Sequence, residues 1–228
     1  PLCVIPARRG SKRLPLKNIL SLSGKPMLAY TVRAALDSGV FDQVIVSTED
    51  EEIAKIAEQA GAIPFCRSQD LAGDLVSATD VCINVADSLN REKDLYNAIV
   101  CLQPTSPLRT GNDIKLSWEH MISTGADYLV SVTPIDPHYF HWAVHKNSDQ
   151  WSMYFGEEYM KERPLLPPVF RPNGAIKIGR LKPLKEARNF FGKNLETFSM
   201  PEDRSVHVAE KFDFDLVEYI MYSQKSEK

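Results

Sequence analysis

Short apolar runs and amphipathic segments alternate along the first half of the chain. Apolar runs that suit single buried strands lie at 2–5, 44–47 and 98–102. Segments whose apolar residues recur at helical spacing lie at 26–38, 50–60 and 77–90. This alternation is typical of βαβ units, so the pattern predicts an α/β fold with a doubly wound, mostly parallel sheet.

The second half continues this pattern with one interruption. A helix is predicted at 113–124, strands at 128–132 and 174–178, and a closing amphipathic helix at 212–222. The intervening stretch 134–172 is rich in proline, histidine and aromatic residues and lacks helical periodicity. We interpret it as an inserted lid or dimerisation element within a single domain that spans 1–228.

The composition of the chain favours an enzyme-like domain over a nucleic-acid-binding or membrane protein. Hydrophobic residues make up 43% and charged residues 25% of the 228 residues, and the formal net charge is −3. This balance gives no support for a surface that binds nucleic acid. Because no apolar stretch approaches the roughly 20 residues of a membrane span, and the chain begins directly with a strand-like run, we expect a cytoplasmic protein. Four single cysteines without Cys-x-x-Cys spacing argue against zinc or redox chemistry.

Positive charge is concentrated directly after the first predicted strand. Five cations accompany one glycine and one serine there: Arg8, Arg9, Gly10, Ser11, Lys12, Arg13 and Lys17. Since α/β folds bind ligands beyond the carboxyl ends of parallel strands, this loop is predicted to bind a polyphosphate, although it lacks the spacing of a Walker motif. A solvated basic turn is the alternative. The amide of Asn18 is suited to hydrogen bonds with the edge of a pyrimidine base.

Four sequence blocks follow one another in a characteristic order. They read ARRGSKRLPLKN at 7–18, RSQDLAGD at 67–74, LQPTSPLR at 102–109 and FRPNGAI at 170–176. Together they resemble the signature segments of the acylneuraminate cytidylyltransferases, the CMP-sialic acid synthetases. The order and spacing of the resemblance extend over residues 2 to about 219.

The resemblance implies a Rossmann-like nucleotidyltransferase fold of the glycosyltransferase-A type and a homodimer. It also implies a reaction of CTP with a sialic-acid-like, nine-carbon 2-keto-3-deoxy sugar acid. The anomeric hydroxyl would attack the α-phosphate in line, giving the CMP-sugar and pyrophosphate with the help of Mg²⁺. Two alternatives are an eight-carbon ulosonic acid as the substrate and a catalytically weakened, nucleotide-binding relative. The relatives that use the eight-carbon acid have a Gln-Gly-Asp block at the position of Gln103-Pro104-Thr105. This difference argues against the eight-carbon acid as the substrate.

The resemblance assigns roles to residues at matching positions. Those expected to hold the triphosphate are Arg8, Ser11, Lys12 and Lys17. Those expected to face the cytidine are Asn18, Arg67 and Ala78. Those expected to contact the sugar acid are Gln103, Arg171, Asn173, Phe190 and Phe191. Lys177, which departs from the family pattern, is a further candidate for this contact. Of these residues, Arg8, Lys12, Lys17 and Gln103 are the expected catalytic groups. For Phe190 and Phe191, which would pack beside the N-acyl group of the sugar, a place in the hydrophobic core is the alternative.

The chain departs from the family pattern at the expected metal site. His207 and Ala209 occupy the positions of two aspartates that bind the catalytic metal in the family. One explanation is a metal held mainly by CTP, with assistance from Asp213 and Asp215. Another is direct contact of His207 with phosphate or sugar. Asp213 and Asp215 also suit the N-terminus of the last helix, where they would interact favourably with its dipole.

A second departure concerns the sugar. Lys177 stands where a tyrosine often follows the Asn-Gly-Ala-Ile sequence of the family. Its ammonium group could pair with a carboxylate, or the side chain could lie on the exposed face of a strand. Relatives within the family use legionaminic, pseudaminic or other nonulosonic acids, so the departure makes a sugar other than N-acetylneuraminic acid plausible here.

Overall fold

A seven-stranded sheet forms the centre of the computed structural model, which describes residues 1–91 and 95–226. The strands are β1 (Leu2–Pro6), β2 (Ser21–Leu22), β3 (Lys25–Pro26), β4 (Val44–Thr48), β5 (Ile63–Cys66), β6 (Ala98–Cys101), β7 (Tyr128–Ile135), β8 (Val144–Asn147), β9 (Gln150–Met153), β10 (Val169–Arg180) and β11 (Leu195–Ser199). The α-helices are α1 (Met27–Asp37), α2 (Glu51–Gln59), α3 (Ala78–Leu89), α4 (Gly111–Thr124), α5 (Pro137–His141), α6 (Leu181–Ala187) and α7 (Lys211–Ser226).

The sheet is mostly parallel, and its strands follow the order β11-β7-β10-β6-β1-β4-β5. β1 pairs in parallel with β4 and β6, β4 with β5, and β7 with β11. β10 runs antiparallel to both of its neighbours. The predicted doubly wound α/β fold is therefore confirmed. The parallel register places the carboxyl ends of β1, β4, β5 and β6 along one edge of the sheet.

Alternate residues of the strands are buried on opposite faces of the sheet, as the period of two in a strand requires. Cys3 and Ile5 of β1 pack into the cluster that α1, α2 and α4 cover. Leu2 and Val4 pack into the cluster that α3 and α6 cover. Each fully buried aliphatic side chain contributes about 1.5–3 kcal/mol through the removal of apolar surface from water. The sheet is thus a rigid two-sided scaffold for the loops at its edge.

Two helices begin at the carboxyl edge of the sheet with side-chain caps. The Asp50 carboxylate accepts a hydrogen bond of 2.9 Å from the backbone N–H of Ile53 at the start of α2. Thr110 and Asp113 form a reciprocal capping box at the start of α4. These caps satisfy backbone donors that a helix leaves unpaired at its N-terminus. The two caps fix the residues at which the loops after β4 and β6 end and the helices begin.

The last helix packs over the loops that follow β1 and β6. Phe214 and Val217 of α7 form a third apolar cluster with Leu14, Leu108 and Val208, among others. This contact brings a segment near the end of the chain, 205–210, onto the same edge of the sheet. The fold therefore joins segments that lie about 200 residues apart in sequence.

The structure contains elements that the sequence pattern did not predict, namely β5, α6 and β11. It also extends two predicted strands, since Val132–Ile135 of β7 pairs with Val169–Pro172 of β10. The ends of the predicted insertion 134–172 therefore belong to these two strands. Between them lie α5, the β8–β9 hairpin and two short 3₁₀ turns. The single domain and the lid or dimerisation role of this segment remain predictions.

None of the helices in the described part of the chain combines the length and the apolar composition needed to cross a membrane.

Candidate active site

A cleft of about 520 Å³ opens at the carboxyl edge of the sheet. Eight of the predicted site residues line it: Arg8, Ser11, Lys12, Lys17 and Asn18 from the loop after β1, and Arg67, Ala78 and Gln103 from later segments. Ala78 is the first residue of α3, whose N-cap Ser77 accepts a hydrogen bond from the N–H of Asp80. The fold therefore brings residues from three of the four sequence blocks into one cavity.

Positive charge dominates the described residues that line this cleft. The cations are Arg8, Lys12, Arg13, Lys17 and Arg67, and the carboxylate among the lining residues is Asp74. Asp74 pairs with Arg8 Nη1 at 2.8 Å and with Lys12 Nζ at 2.5 Å. Hydrogen bonds from Lys12 and Arg8 hold the pKa of Asp74 below its ordinary value. One carboxylate thus bridges the two cations at the mouth of the cleft and leaves a net positive charge.

Lys17 joins the loop after β1 to the segment before α7. Its Nζ donates a hydrogen bond of 3.0 Å to the carbonyl oxygen of Val208. The N–H of Val208 in turn donates to the carbonyl oxygen of Thr105 at 2.8 Å. Burial, followed by the nearby charge of Arg13, lowers the pKa of Lys17. Three loops that are distant in sequence therefore meet at this point of the cleft.

The part of the cleft around Arg67 contains a buried ion pair that the sequence did not predict. Arg67 donates from Nε and Nη2 to one carboxylate oxygen of Glu49, at 3.2 and 2.8 Å. The other oxygen of Glu49 accepts from the backbone N–H of Arg9 at 2.8 Å. Both side chains of the pair are less than a tenth exposed. Asn18 is also buried, and its Nδ2 donates to the carbonyl oxygen of Arg8 at 2.9 Å.

On the opposite side of the cleft, Gln103 lies next to Thr105 and His207. The hydroxyl of Thr105 lies 3.4 Å from Gln103 Oε1 and 3.2 Å from His207 Nδ1. Gly174 adopts a φ of +74°, and a Cβ at this position would lie 3.4 Å from His207 Nδ1. Burial, followed by the charge of Lys17, lowers the pKa of His207, so this imidazole is neutral at neutral pH. A neutral hydrogen-bonding cluster thus borders the cationic region.

The three predicted sugar residues of β10 occupy different environments. Asn173 is 2% exposed and forms part of the bulge in β10. Its Oδ1 accepts from Ser131 Oγ at 2.5 Å, and its Nδ2 donates to Ser205 Oγ at 2.9 Å. Asn173 therefore shapes the turn before Gly174 and does not line the cleft. Arg171 precedes the bulge and is exposed on the strand extension. Lys177 follows the bulge and is half-buried.

Phe190 and Phe191 lie away from the cleft, which corrects their expected position beside the sugar. Phe190 is 2% exposed and packs in the core with Tyr128 and Leu184. Phe191 lines a separate open cavity together with Tyr128. Tyr128 begins β7, and the amino end of this strand lies opposite the cleft. The antiparallel course of β10 explains the difference, because α6 and the two phenylalanines follow the end of β10 that points away from the cleft.

The predicted metal ligands have other partners. One Asp213 oxygen accepts hydrogen bonds from the N–H groups of Ala209 and Glu210, at 2.7 and 2.9 Å. Asp215 pairs with Lys211 one turn earlier in α7. Within the ranges 1–91 and 95–226, no three acidic, histidine or cysteine side chains are grouped as a metal site requires. These residues therefore do not form a carboxylate cage for Mg²⁺, and the metal roles of Asp213 and Asp215 remain predictions.

The comparison with known families identifies the class of protein to which this cleft belongs. A family model described as cytidylyltransferase matches residues 2–197 of the chain. The chain belongs to the cytidylyltransferase family and is a nucleotidyltransferase. The resemblance inferred from the four sequence blocks is thereby confirmed.

Curated relatives resemble the chain over most of its length. The pseudaminic acid cytidylyltransferase of Campylobacter jejuni is 34% identical over 89% of this chain and 88% of its own length. The CMP-N,N'-diacetyllegionaminic acid synthase of Legionella pneumophila is 33% identical over 96% and 95%, respectively. The N-acylneuraminate cytidylyltransferase of Streptococcus agalactiae is 34% identical over 94% of this chain but only 51% of its own length.

A solved structure shares the fold. It is titled as a CMP:2-keto-3-deoxy-manno-octonic acid synthetase complexed with CTP, and its TM-score with this chain is 0.75. The superposition covers 98% of both chains at 19% sequence identity. This likeness supports the Rossmann-like nucleotidyltransferase architecture.

Replacement of Glu49 with alanine should destabilise the protein, because Arg67 would keep its charge in a buried position without a partner. Removal of one member of such a pair typically costs about 3 kcal/mol. Urea unfolding of Glu49→Ala measures this loss. Glu52→Ala is the matched control, since Glu52 is exposed where it pairs with Arg9. A Glu49→Ala protein within about 0.5 kcal/mol of the wild type would show that the pair does not hold this side of the cleft.

Proposed function

We propose that the protein transfers a cytidylyl group from CTP to a sialic-acid-like, nine-carbon 2-keto-3-deoxy sugar acid. The products are the CMP-sugar and pyrophosphate. The observation that carries the proposal is the cationic cleft at the carboxyl edge of the sheet, which three of the family-like blocks build together. The fourth block supports it, because Gly174 places the bulge of β10 against His207 and Gln103.

The residues of the cleft suit the binding of a triphosphate. Arg8, Lys12 and Lys17 neutralise its charge, and Ser11 donates a hydrogen bond from its hydroxyl. The bridge of Asp74 to Arg8 and Lys12 holds these side chains near the mouth of the cleft before CTP binds. Asn18 and Arg67 define the space for the cytosine on the other side. Catalysis in this proposal rests on position and charge more than on covalent participation by the protein.

The reaction is an in-line displacement at the α-phosphorus. The oxygen of the anomeric hydroxyl forms a bond to the α-phosphorus and loses its proton. The bond from the α-phosphorus to the bridging oxygen breaks, and pyrophosphate leaves with the electron pair. Gln103 and the neighbouring Thr105–His207 pair lie where the sugar acid would approach, and they offer hydrogen bonds to its hydroxyl groups.

Three relatives at 33–34% identity support a nonulosonic acid as the sugar. Their names specify pseudaminic, N-acylneuraminic and N,N'-diacetyllegionaminic acids. The choice among these acids stays open, and an eight-carbon ulosonic acid is the second candidate. Gln103, Pro104 and Thr105 favour the nine-carbon class, as in the sequence comparison. A catalytically weakened nucleotide-binding protein is the third candidate, because His207 and Ala209 replace the expected aspartates.

Mg²⁺ belongs to the proposal as an ion carried by the substrate. Asp74 is the one carboxylate among the described residues that line the cleft, so we assign no step to a metal held by the protein. We also propose a homodimer in the cytoplasm. Exposed aromatic side chains of the inserted segment support the dimer, among them Tyr139, Trp142, Trp151 and Tyr154.

The release of pyrophosphate from CTP and Mg²⁺ tests the function. The purified protein is assayed with N-acetylneuraminic, pseudaminic, N,N'-diacetyllegionaminic and 2-keto-3-deoxy-manno-octonic acids. We expect release with at least one nine-carbon acid and little with the eight-carbon acid. Release with the eight-carbon acid alone would select the second candidate. Measurable CTP binding without release on any acid would overturn the enzymatic proposal.

Replacement of Lys12 with alanine should raise the KM for CTP about tenfold, because one charge-assisted contact to phosphate is lost. The KM for the sugar acid should change much less. Steady-state kinetics at saturating sugar acid measure the effect. Arg33→Ala removes an exposed cation from α1, far from the cleft, and serves as the control. If a folded Lys12→Ala protein keeps the wild-type dependence on CTP, the loop is a solvated basic turn.

Aspartates at positions 207 and 209 should lower the Mg²⁺ concentration required for half-maximal activity, if the metal lies beside this segment. The double substitution His207→Asp and Ala209→Asp adds two oxygen ligands of the type that Mg²⁺ prefers. The pair His207→Asn and Ala209→Asn is the uncharged control of the same shape. Pyrophosphate release is measured over a series of Mg²⁺ concentrations. An unchanged requirement in the aspartate variant would place the metal elsewhere.

A further inference from the structure

Arg109 is a buried cation beneath the part of the cleft that Gln103 and His207 border. It ends the block 102–109 and lies just before α4. The residue is 3% exposed. Its Nη1 donates to the carbonyl oxygen of Ala175 at 2.7 Å and to that of Gln103 at a longer distance of 3.4 Å. Its Nε and Nη2 have no hydrogen-bond partner within the described part of the chain.

The charge of Arg109 is not balanced by an ion pair among the described residues. The carboxylate of Asp113 acts on the charge of Arg109, but Asp113 accepts hydrogen bonds from Arg204 at 2.8 and 3.2 Å. The thiols of Cys3 and Cys101 also lie close to the guanidinium. Burial raises the pKa of the Cys3 thiol, which is therefore neutral at neutral pH. Burial lowers the pKa of Arg109 to about 10, so the guanidinium still carries its charge.

A buried charge without a counterion does not stabilise a fold. Apolar side chains of similar volume at such positions are often neutral or favourable for stability. The role of Arg109 therefore lies in the two backbone segments that its hydrogen bonds hold in place. The planar guanidinium is well suited to this purpose, because its donors have a fixed mutual geometry.

The two carbonyl groups that Arg109 contacts belong to the segments that border the sugar side. One is the backbone of Gln103 itself. The other follows Gly174, whose left-handed turn packs against His207. Arg109 thus joins the loop after β6 to the bulge of β10 from below. The contacts on the nucleotide side, Arg67 with Glu49 and Arg8 with Asp74, do not involve it.

We propose that Arg109 is a positioning residue that holds Gln103 and the turn at Gly174 in the geometry needed to bind the sugar acid. The inference rests on the proposed function and extends it. It predicts different effects on the two substrates, because loss of Arg109 disturbs the segments that would bind the sugar acid and leaves the loop that would bind the triphosphate in place. A residue that merely stabilised the fold would affect both substrates together.

The test compares Arg109→Met, Arg109→Lys and the wild type, with the preferred acid from the substrate panel. Arg180→Met is the matched control, since Arg180 Nε also donates to a backbone carbonyl, that of Ala126 at 3.0 Å, but at the opposite edge of the sheet. Thermal unfolding, the Kd for CTP from titration calorimetry, and kcat and KM for the sugar acid are measured for each protein.

We expect Arg109→Met to lower kcat/KM for the sugar acid at least tenfold and to leave the Kd for CTP within about twofold. Its thermal stability should equal or exceed that of the wild type. Arg109→Lys should recover part of the activity, because its ammonium group can still donate to Ala175. Arg180→Met should match the wild type in kcat/KM.

Two results would overturn the inference but not the proposed function. One is an unchanged kcat/KM for the sugar acid in a folded Arg109→Met protein, and the other is a loss of CTP affinity as large as the loss of kcat/KM. If Arg109→Met does not fold, a loss of CTP affinity in Arg109→Lys as large as its loss of kcat/KM for the sugar acid would overturn it in the same way, whereas a selective loss for the sugar acid would support it. A wild-type protein without turnover on any acid would overturn the proposed function first and this inference with it.

Discussion

Like charges gathered in a half-buried cleft repel one another, and the rest of the site is arranged around this constraint. Four of the five cations that line the cleft contact a partner among the described residues: Arg8 and Lys12 share Asp74, Lys17 donates to the carbonyl oxygen of Val208, and Arg67 pairs with Glu49. These partners orient the cations but do not neutralise all of them. A ligand with several negative charges completes the balance, and a nucleoside triphosphate is such a ligand.

The sheet makes this arrangement possible because it brings distant segments to one edge. The strands β1, β4, β5 and β6 end there in register, and the loops that follow them carry the polar groups. α7 then packs its apolar face on two of these loops and adds His207 and Val208 from the end of the chain. The cationic part of the cleft and the neutral part around Gln103 and His207 are therefore held by one frame. Lys17 joins the loop after β1 to the segment before α7, and Arg109 joins the loop after β6 to the bulge of β10.

Much of this could be predicted from the sequence, and the failures have physical reasons. The apolar runs of β1, β4 and β6 are buried on both faces, so hydrophobicity alone revealed them. β5 and β11 are edge strands, and β5 contains Pro64, so neither has the apolar pattern of a central strand. The four sequence blocks correctly indicated the family, and residues of three of them line the cleft.

Predictions failed where a residue's position depends on topology or on a partner distant in sequence. Phe190 and Phe191 lie at the wrong edge for a sugar contact because β10 runs antiparallel, which no local pattern reveals. Glu49 directly follows β4 in the sequence, and its buried pairing with Arg67 depends on β4 and β5 lying side by side. Asn173 was assigned to the sugar, yet its amide is used within the bulge.

In the proposed function, the loop after β1 and its neighbours bind a triphosphate through charge. Titration calorimetry of CTP and CMP at several salt concentrations tests this binding mode. CTP should bind at least tenfold more tightly than CMP, and this difference should shrink as salt screens the phosphates. Equal affinities of CTP and CMP, independent of salt, would contradict it.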